Sequence, residues 1–428
     1  MLLRFRFSNF RSFREEQELS LVAASALRED LPTAIAHPPS MKEGVLPVSA
    51  IYGANASGKT NVLRAFSFAS LAVKNSHNRW EPDGPIRIEP FLGSREQRVT
   101  WSSFEFDFLI KGVRHSYGFR LDAGAILEEW LFVYPKAKKQ SWFHRQRGKP
   151  ISFSAKMPGA NKVTEGITRK NSLFLSAAAQ NNHEALTPVF EWVSGLRFVR
   201  DTRRGREDSS ALAADVFSEP RFADAAVRLL RAADVGIVGV KVEKEAVPEG
   251  GKKITGATHR ALNKQVVRSQ PDGFERIRLL HRIGEETVPF TTESESAGTI
   301  AYLLVVSPVL KALNDGADLC IDELGASLHP LLASQIIRLF NEPATNCKGA
   351  QLIFNTHDAT LLSRANLRRD QIWFTEKGRD GASHLYPLTD FKPRQKENLE
   401  TGYLQGRYGA IPFLNPRAFV TEPSDGKA

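Results

Sequence analysis

The sequence predicts an α/β fold in which a mostly parallel sheet is joined by an antiparallel β lobe and a helical insertion. Three observations carry this expectation. Short apolar runs at residues 48–51, 319–321 and 351–354 alternate with helical stretches, the pattern of parallel strands buried on both faces. Between residues 100 and 134 the apolar period changes to two, as in an antiparallel meander. Across 160–290 neither pattern persists, and the clearest element is an amphipathic helix at 221–233.

At the N-terminus Leu3, Phe5 and Phe7 share one face and Arg4, Arg6 and Ser8 the other, which is a half-buried strand; Asn9-Phe10-Arg11-Ser12-Phe13 then turns the chain. Residues 19–26 read as a second strand or a short helix, 32–47 as a Pro-rich loop, and 61–75 as a helix. In the meander Phe104, Phe106, Phe108 and Ile110 alternate with Glu105 and Asp107 up to a Lys111-Gly112 turn. The returning strand sets Val113, His115, Tyr117, Phe119 and Leu121 against Arg114, Ser116 and Arg120, and His115 reads as a strand side chain. A third strand covers 127–134, and 235–242 suggests another. Residues 300–313 are apolar and helical, broken only at Ser307-Pro308, and end at Asn314-Asp315-Gly316. Pro330 suits the first turn of a further helix, and Gln371-Ile372-Trp373-Phe374 is one more strand. In such a sheet ligands belong at the strand C-termini.

The 428 residues are enough for a sizeable core and for two or three domains. Net charge is +10, from 58 basic and 48 acidic residues, which favours an acidic partner: ATP, nucleic acid or an acidic protein. Only Cys320 and Cys347 occur, which fits a reducing cytoplasm. The first residues alternate charged with apolar side chains and lack the apolar core of a signal peptide. The strongly apolar stretch at 301–310 is about half of a membrane span, so no membrane is expected as a partner.

The most specific stretch is Gly53-Ala54-Asn55-Ala56-Ser57-Gly58-Lys59-Thr60, followed by Asn61, between a predicted strand and a predicted helix. It fits the P-loop pattern, in which backbone N–H groups at a helix N-terminus cradle phosphates. Lys59 is expected to reach the β- and γ-phosphates and Thr60 to hold Mg²⁺. Downstream, a buried strand ends in Asp322-Glu323, where Asp322 suits the metal and Glu323 the water that attacks the γ-phosphate. Another strand delivers Asn355-Thr356-His357-Asp358, placing His357 where a γ-phosphate sensor would sit. Ser296-Ala297-Gly298-Thr299 is by itself a helix N-cap with a small-residue turn, and gains meaning as the third element in this order.

That order resembles ABC-type ATPase heads of the SMC, RecF and OLD kind. Asn9-Phe10-Arg11-Ser12-Phe13, the P-loop, Glu295-Ser296-Ala297-Gly298-Thr299, Asp322-Glu323-Leu324-Gly325, Thr356-His357-Asp358 and the tail segments 368–377 and 403–410 together resemble AAA-type ATP-binding proteins of the RloA and abortive-infection kind. The resemblance implies an ATPase head using ATP and Mg²⁺, divided into an N-terminal part with the P-loop and β lobe (1–150), an insertion or helical lid (151–290), and a C-terminal part (291–428). The C-terminal part would hold the signature, the acidic strand end, the histidine switch and a family-specific tail. It further implies a homodimer or higher homo-oligomer, in which Ser296, Ala297, Gly298 and Thr299 reach the partner copy's ATP. Two departures stand out: the usual Leu-Ser-Gly-Gly-Gln signature is reduced to Ser-Ala-Gly-Thr, and Gly325 replaces an expected acid. The glutamine of the Q-loop is not assigned, the region of Pro90-Phe91 being its expected neighbourhood.

Two functions compete. One is an ATP-driven switch in anti-phage defence that acts on an effector protein; the other is a RecF- or SMC-like DNA-maintenance ATPase. For the second speak the basic clusters at 136–149, with Trp142 and Phe143 among them, and 197–206, which otherwise read as solvated faces. Acids after Asp390 are scattered with no Asp-x-Asp, so a nuclease activity is not expected. Asn263-Lys264-Gln265-Val266 lacks the aspartate of a guanine-reading pattern.

Overall fold

The computed structural model describes residues 1–25, 27, 29, 31–93, 100–199, 217, 219–233, 236–245, 274–326 and 328–412. The chain opens with strands β1 (Leu2–Ser8) and β2 (Gln17–Ser20), enters β3 (Val48–Gly53) and then helix α1 (Lys59–Asn75). Strands β4 (Ser102–Ile110), β5 (Val113–Leu121), β6 (Ile126–Tyr134), β7 (Gln140–Gln146) and β8 (Ser152–Phe153) follow. Short helices α2 (Asn161–Ile167), α3 (Phe174–Gln180) and α4 (Thr187–Ser194) lead to β9 (Arg197–Val199), α5 (Pro220–Ala232), β10 (Ile237–Glu245), β11 (Phe274–Ile283) and β12 (Glu286–Thr291). The remainder is α6 (Ala297–Asp315), β13 (Asp318–Ile321), α7 (Pro330–Asn341), β14 (Gln351–Asn355), β15 (Ile372–Lys377), β16 (Ser383–Pro387) and α8 (Leu399–Leu404).

These strands make three sheets. Seven are antiparallel in the order β2-β1-β4-β5-β6-β7-β8, three are antiparallel in the order β10-β11-β12, and six run β16-β15-β3-β14-β13-β9. In the six-stranded sheet every neighbouring pair is parallel except β15 with β16. The expected parallel sheet is therefore present, but the fold as a whole is not mostly parallel, because the largest sheet is antiparallel. Leu2, Phe5 and Phe7 pair β1 with β4 instead of extending the parallel sheet, so the N-terminus joins the β lobe. The expected helical insertion is mixed: alongside α2 to α5 it supplies β8, β10 and β11, and its β9 extends the parallel sheet beyond β13.

Apolar patterning explains the layering. On β3, Val48, Ala50 and Tyr52 enter one core and Ile51 the other, so the strand is buried on both faces. One core lies between the six-stranded sheet and the β lobe, where Phe5 packs on Phe66 of α1 at 3.8 Å between ring centroids and Phe108 stacks on Trp192 of α4 at 3.9 Å. The other core holds α6 and α7 together with the tail: Tyr403 and Tyr408 pack against Phe374, and Tyr403 also meets Tyr52. The hairpin between β4 and β5 turns through Lys111 (φ 48) and Gly112 (φ 77), two left-handed residues as a type I′ turn requires.

Helix α6 corrects the expected break at Ser307-Pro308. It runs through Pro308, losing one backbone hydrogen bond, while Leu303, Val305, Val306 and Val309 are buried on both sides of the proline. Among the described residues it is the one helix long and apolar enough to cross a membrane, and most of it is buried within the fold.

The β lobe is tied to α3 by Glu129, a fully buried carboxylate. It accepts hydrogen bonds from the N–H groups of Phe174 (2.6 Å) and Leu175 (2.9 Å) and from the Tyr117 hydroxyl (3.0 Å), with the Arg145 guanidinium at 3.5 Å. Removing it strands those donors and the Arg145 charge. Glu129→Ala is expected to lower unfolding free energy in urea by about 3–5 kcal/mol, whereas Glu128→Ala, whose partners are solvent-facing, changes it by less than about 1 kcal/mol.

Candidate nucleotide site

The site grows from the C-terminal end of β3. Gly53 has φ 152 and Gly58 has φ 117, both in the region that favours glycine. Space also demands them: a Cβ on Gly53 would stand 2.4 Å from the Thr375 carbonyl, and one on Gly58 would stand 2.8 Å from Ser383 Oγ. The loop between them, Ala54, Asn55, Ala56 and Ser57, passes from partly exposed to buried and feeds α1, which begins at Lys59. Ser57 Oγ lies 2.6 Å from Thr375 Oγ1 on β15, which fixes the loop to the neighbouring strand. Asn61 Nδ2 donates to Ser12 Oγ at 2.9 Å, and the Ser383 N–H donates to the Ser12 carbonyl at 2.7 Å. The Asn9–Phe13 turn, bent by left-handed Asn9 and Arg11, thus supports the first turn of α1.

Lys59 Nζ is buried and donates to the carbonyls of Gly53 (2.7 Å) and Ala54 (2.9 Å). Burial pulls its ammonium from 10.5 down to about 8, with the Asp322 carboxylate opposing that shift. Thr60 Oγ1 donates to Asp322 Oδ1 at 3.0 Å. Asp322 follows β13, and its N–H is held by the Val199 carbonyl of β9 at 2.9 Å. Glu323 comes next with a left-handed backbone (φ 61) and is half-buried. Gly325 also has positive φ (98), a conformation that disfavours an acidic side chain and gives the departure at this position a backbone cause.

Lys59, Thr60 and Asp322 are therefore brought together, with Glu323 beside them. His357 lies two residues beyond β14, the strand between β3 and β13, and is exposed. Ser296 is the N-cap of α6; its Oγ accepts the Thr299 N–H at 3.1 Å and lies 2.9 Å from Thr299 Oγ1. Ser296 and Ala297 are exposed, Gly298 is half-buried and Thr299 buried. Among the described residues the hydrogen bonds of Ser296 stay within its own turn, and none of them joins it to the P-loop of the same chain. The Pro90-Phe91 region packs on the Asn9–Phe13 turn, through Phe91 N–H to Asn9 Oδ1 (3.1 Å) and Arg11 N–H to the Glu89 carbonyl (2.7 Å). Nearby Gln97, and Arg200, Arg203, Arg204 and Arg206 of the second basic cluster, lie outside the described residues, as does Asn263-Lys264-Gln265-Val266.

The donor set suits Mg²⁺. A threonine hydroxyl and one carboxylate are hard oxygen donors, and Mg²⁺ is commonly held by few protein oxygens together with water and substrate phosphates. Two contributors were not legible in the sequence. Thr375 anchors Ser57 from a strand more than three hundred residues away. Asn355, fully buried, bonds both to Asp322 Oδ1 and to the Glu323 N–H, each at 2.6 Å; its place at a strand end before Thr-His was the available signal.

Residues 48–363, well over half of the chain, match the family described as "AAA domain, putative AbiEii toxin, Type IV TA system". The chain belongs to this AAA family. Membership makes it a P-loop NTPase with an AAA domain, consistent with the strand, loop and helix around Lys59. Among solved structures it is similar to an SMC head domain from Thermotoga maritima, at 13% identity over 90% of this chain and 98% of that one, with a TM-score of 0.39. No curated protein sequence matches it.

The Lys59 shift has a measurable consequence in this AAA protein. Between about pH 8 and 10.5 the folded chain binds fewer protons here than the unfolded chain, so the stability penalty of the buried ammonium is full below about pH 8 and eases as pH rises. A polyphosphate beside Nζ favours the charged form and raises the pKa again. Binding of a nucleoside triphosphate at about pH 8.5 should take up roughly half a proton or more at this residue, seen calorimetrically as a heat that varies with buffer ionisation enthalpy. Lys59→Met should abolish that dependence.

Proposed function

We propose that the chain binds ATP with Mg²⁺ and hydrolyses it in sites completed when two copies meet, and that this cycle switches an effector protein in bacterial anti-phage defence of the abortive-infection, RloA-like kind. The observation that carries the ATPase part is the contact of Thr60 Oγ1 with Asp322 Oδ1 beside buried Lys59, made across 262 positions of sequence. The defence part draws on the family's description as a putative toxin of a type IV toxin–antitoxin system. A cytoplasmic setting accords with Cys320 and Cys347 both being free thiols. The divisions at about residues 150 and 290 belong to the same proposal.

Residues 53–58 would wrap the phosphates with backbone N–H groups at the start of α1, with Asn61 steadying that turn through Ser12. Lys59 exchanges two backbone carbonyls for β- and γ-phosphate oxygens. Thr60 and Asp322 would hold Mg²⁺, which supplies charge neutralisation at the β- and γ-oxygens when bound. Glu323 would take a proton from, or orient, the attacking water, and His357, two residues beyond β14, would serve as the γ-phosphate sensor. Ser296, Ala297, Gly298 and Thr299 would complete the site of the partner copy, for which the exposure of Ser296 and Ala297 leaves them accessible.

Glu323→Gln should keep ATP binding while lowering turnover by about 10²–10⁴-fold. With Mg-ATP its solution mass should rise to that of a dimer or larger assembly, and adding Ser296→Arg should prevent the rise. A constant monomer, alongside a wild type that hydrolyses ATP, would sink the shared-site mechanism.

A specific observation also favours a second reading, a RecF- or SMC-like nucleic-acid-binding ATPase. Lys111, Lys136, Lys138 and Lys139 are exposed around one end of the β lobe, and among the described residues none has an acidic partner. Lys139 Nζ sits 3.8 Å from the centroid of Phe132, and the Arg114 guanidinium 4.6 Å from that of Tyr134. On this reading Lys136→Gln, Lys138→Gln and Lys139→Gln together should weaken single-stranded DNA binding and flatten its log–log salt slope by about 2. Absence of salt-dependent binding by the wild type would dismiss it.

A further inference from the structure

Asn355 ends β14, the strand lying between the P-loop strand β3 and the acidic strand β13. Parallel register sets Ile321 opposite Phe354 and Asn355 opposite Ile51, so the side chain reaches the junction of all three strand ends. Its carboxamide is used at both ends: Nδ2 donates to Asp322 Oδ1 and Oδ1 accepts the Glu323 N–H, both at 2.6 Å. The Asn355 carbonyl also accepts the Leu324 N–H at 2.9 Å. The neighbours fix the amide's orientation, because the flipped amide would set an oxygen against a carboxylate and NH₂ against an N–H.

We infer that Asn355 is a positioning residue for ATP hydrolysis, holding the Asp322 carboxylate in the rotamer that serves the metal and the Glu323 backbone in its left-handed conformation. This rests on the ATPase reading. Asp322 Oδ1 receives both Thr60 Oγ1 and Asn355 Nδ2, so among the described residues no protein donor is spent on Oδ2. Glu323, at φ 61, is held by Oδ1 on its own N–H and by the Asn355 carbonyl on the next; relaxation to right-handed φ would redirect its carboxylate. The task needs a donor and an acceptor on one short side chain. Aspartate lacks the donor, serine and threonine have one polar atom, and glutamine is a methylene longer. The same strand end continues into Thr356, whose N–H donates to the Ile51 carbonyl at 3.2 Å, so any shift of β14 moves the acids and His357 together.

Asn355→Asp keeps shape and the acceptor for Glu323 but sets a second carboxylate against Asp322. Its turnover should fall by about 100-fold or more, while Mg²⁺-free affinity for a fluorescent ATP analogue stays within about threefold and the Mg²⁺-dependent gain in affinity changes. Its melting temperature should drop, and the double variant Asp322→Asn/Asn355→Asp should recover it by restoring the hydrogen bond with donor and acceptor exchanged. Turnover should stay lost in the double variant, because the carboxylate now sits on the wrong strand. Wild-type turnover in Asn355→Asp overturns the inference. So does equal loss of affinity with and without Mg²⁺ combined with no thermal recovery in the double variant, which would mark a merely structural residue. A wild type that binds but does not hydrolyse ATP overturns the ATPase reading instead. The affinity measurements then decide: a change confined to the Mg²⁺-dependent part supports the positioning of Asp322, and an equal change in both parts overturns it.

Discussion

Burial of the six-stranded sheet on both faces is the constraint from which the rest follows. Strands β3, β14 and β13 carry mostly apolar side chains to either side, and the polar residues of the site collect where the strands end. Their parallel register brings those ends to one edge. Lys59, Thr60, Asp322 and Asn355 come from segments far apart in the chain, yet they meet because three strands stop together.

The layers around the sheet hold that edge in place. From one side the Asn9–Phe13 turn supports α1 through Asn61, and the phenylalanines of β1 and β4 pack under the helix. From the other, Tyr403 and Tyr408 of the tail close over Phe374 and Tyr52, beneath the strand that carries the loop. The tail segments 368–377 and 403–410 thus have a packing role in the core of the nucleotide half. At the outer edge β9 adds one more hydrogen bond to Asp322, so the middle of the chain is physically coupled to the acidic strand end.

Local patterning was most legible where it did not depend on distant partners. The P-loop spacing, the Lys111-Gly112 hairpin and the apolar strands could be read because period and turn chemistry are properties of neighbouring residues. The break expected at Pro308 did not occur, since burial on both sides of the proline outweighs one missing hydrogen bond. In the middle region the strand expected at 235–242 is present as β10, whereas β9, three residues long, leaves almost no period to detect. Thr375 stands just past the strand expected at 371–374, and only its approach to Ser57 and Gly53 makes it part of the loop's support.

By itself the sequence determined which groups are available: a glycine-bounded loop followed by Lys59 and Thr60, acids at the end of a buried strand, and a serine poised to cap a helix. Those are local matters of spacing, conformational freedom and side-chain chemistry. Tertiary structure alone decided that β1 joins an antiparallel lobe and that β9 borders the acidic strand. It also decided that one asparagine carboxamide bonds two successive acidic residues. Those outcomes depend on strand order and register, which arise from long-range burial that no local window of the sequence contains.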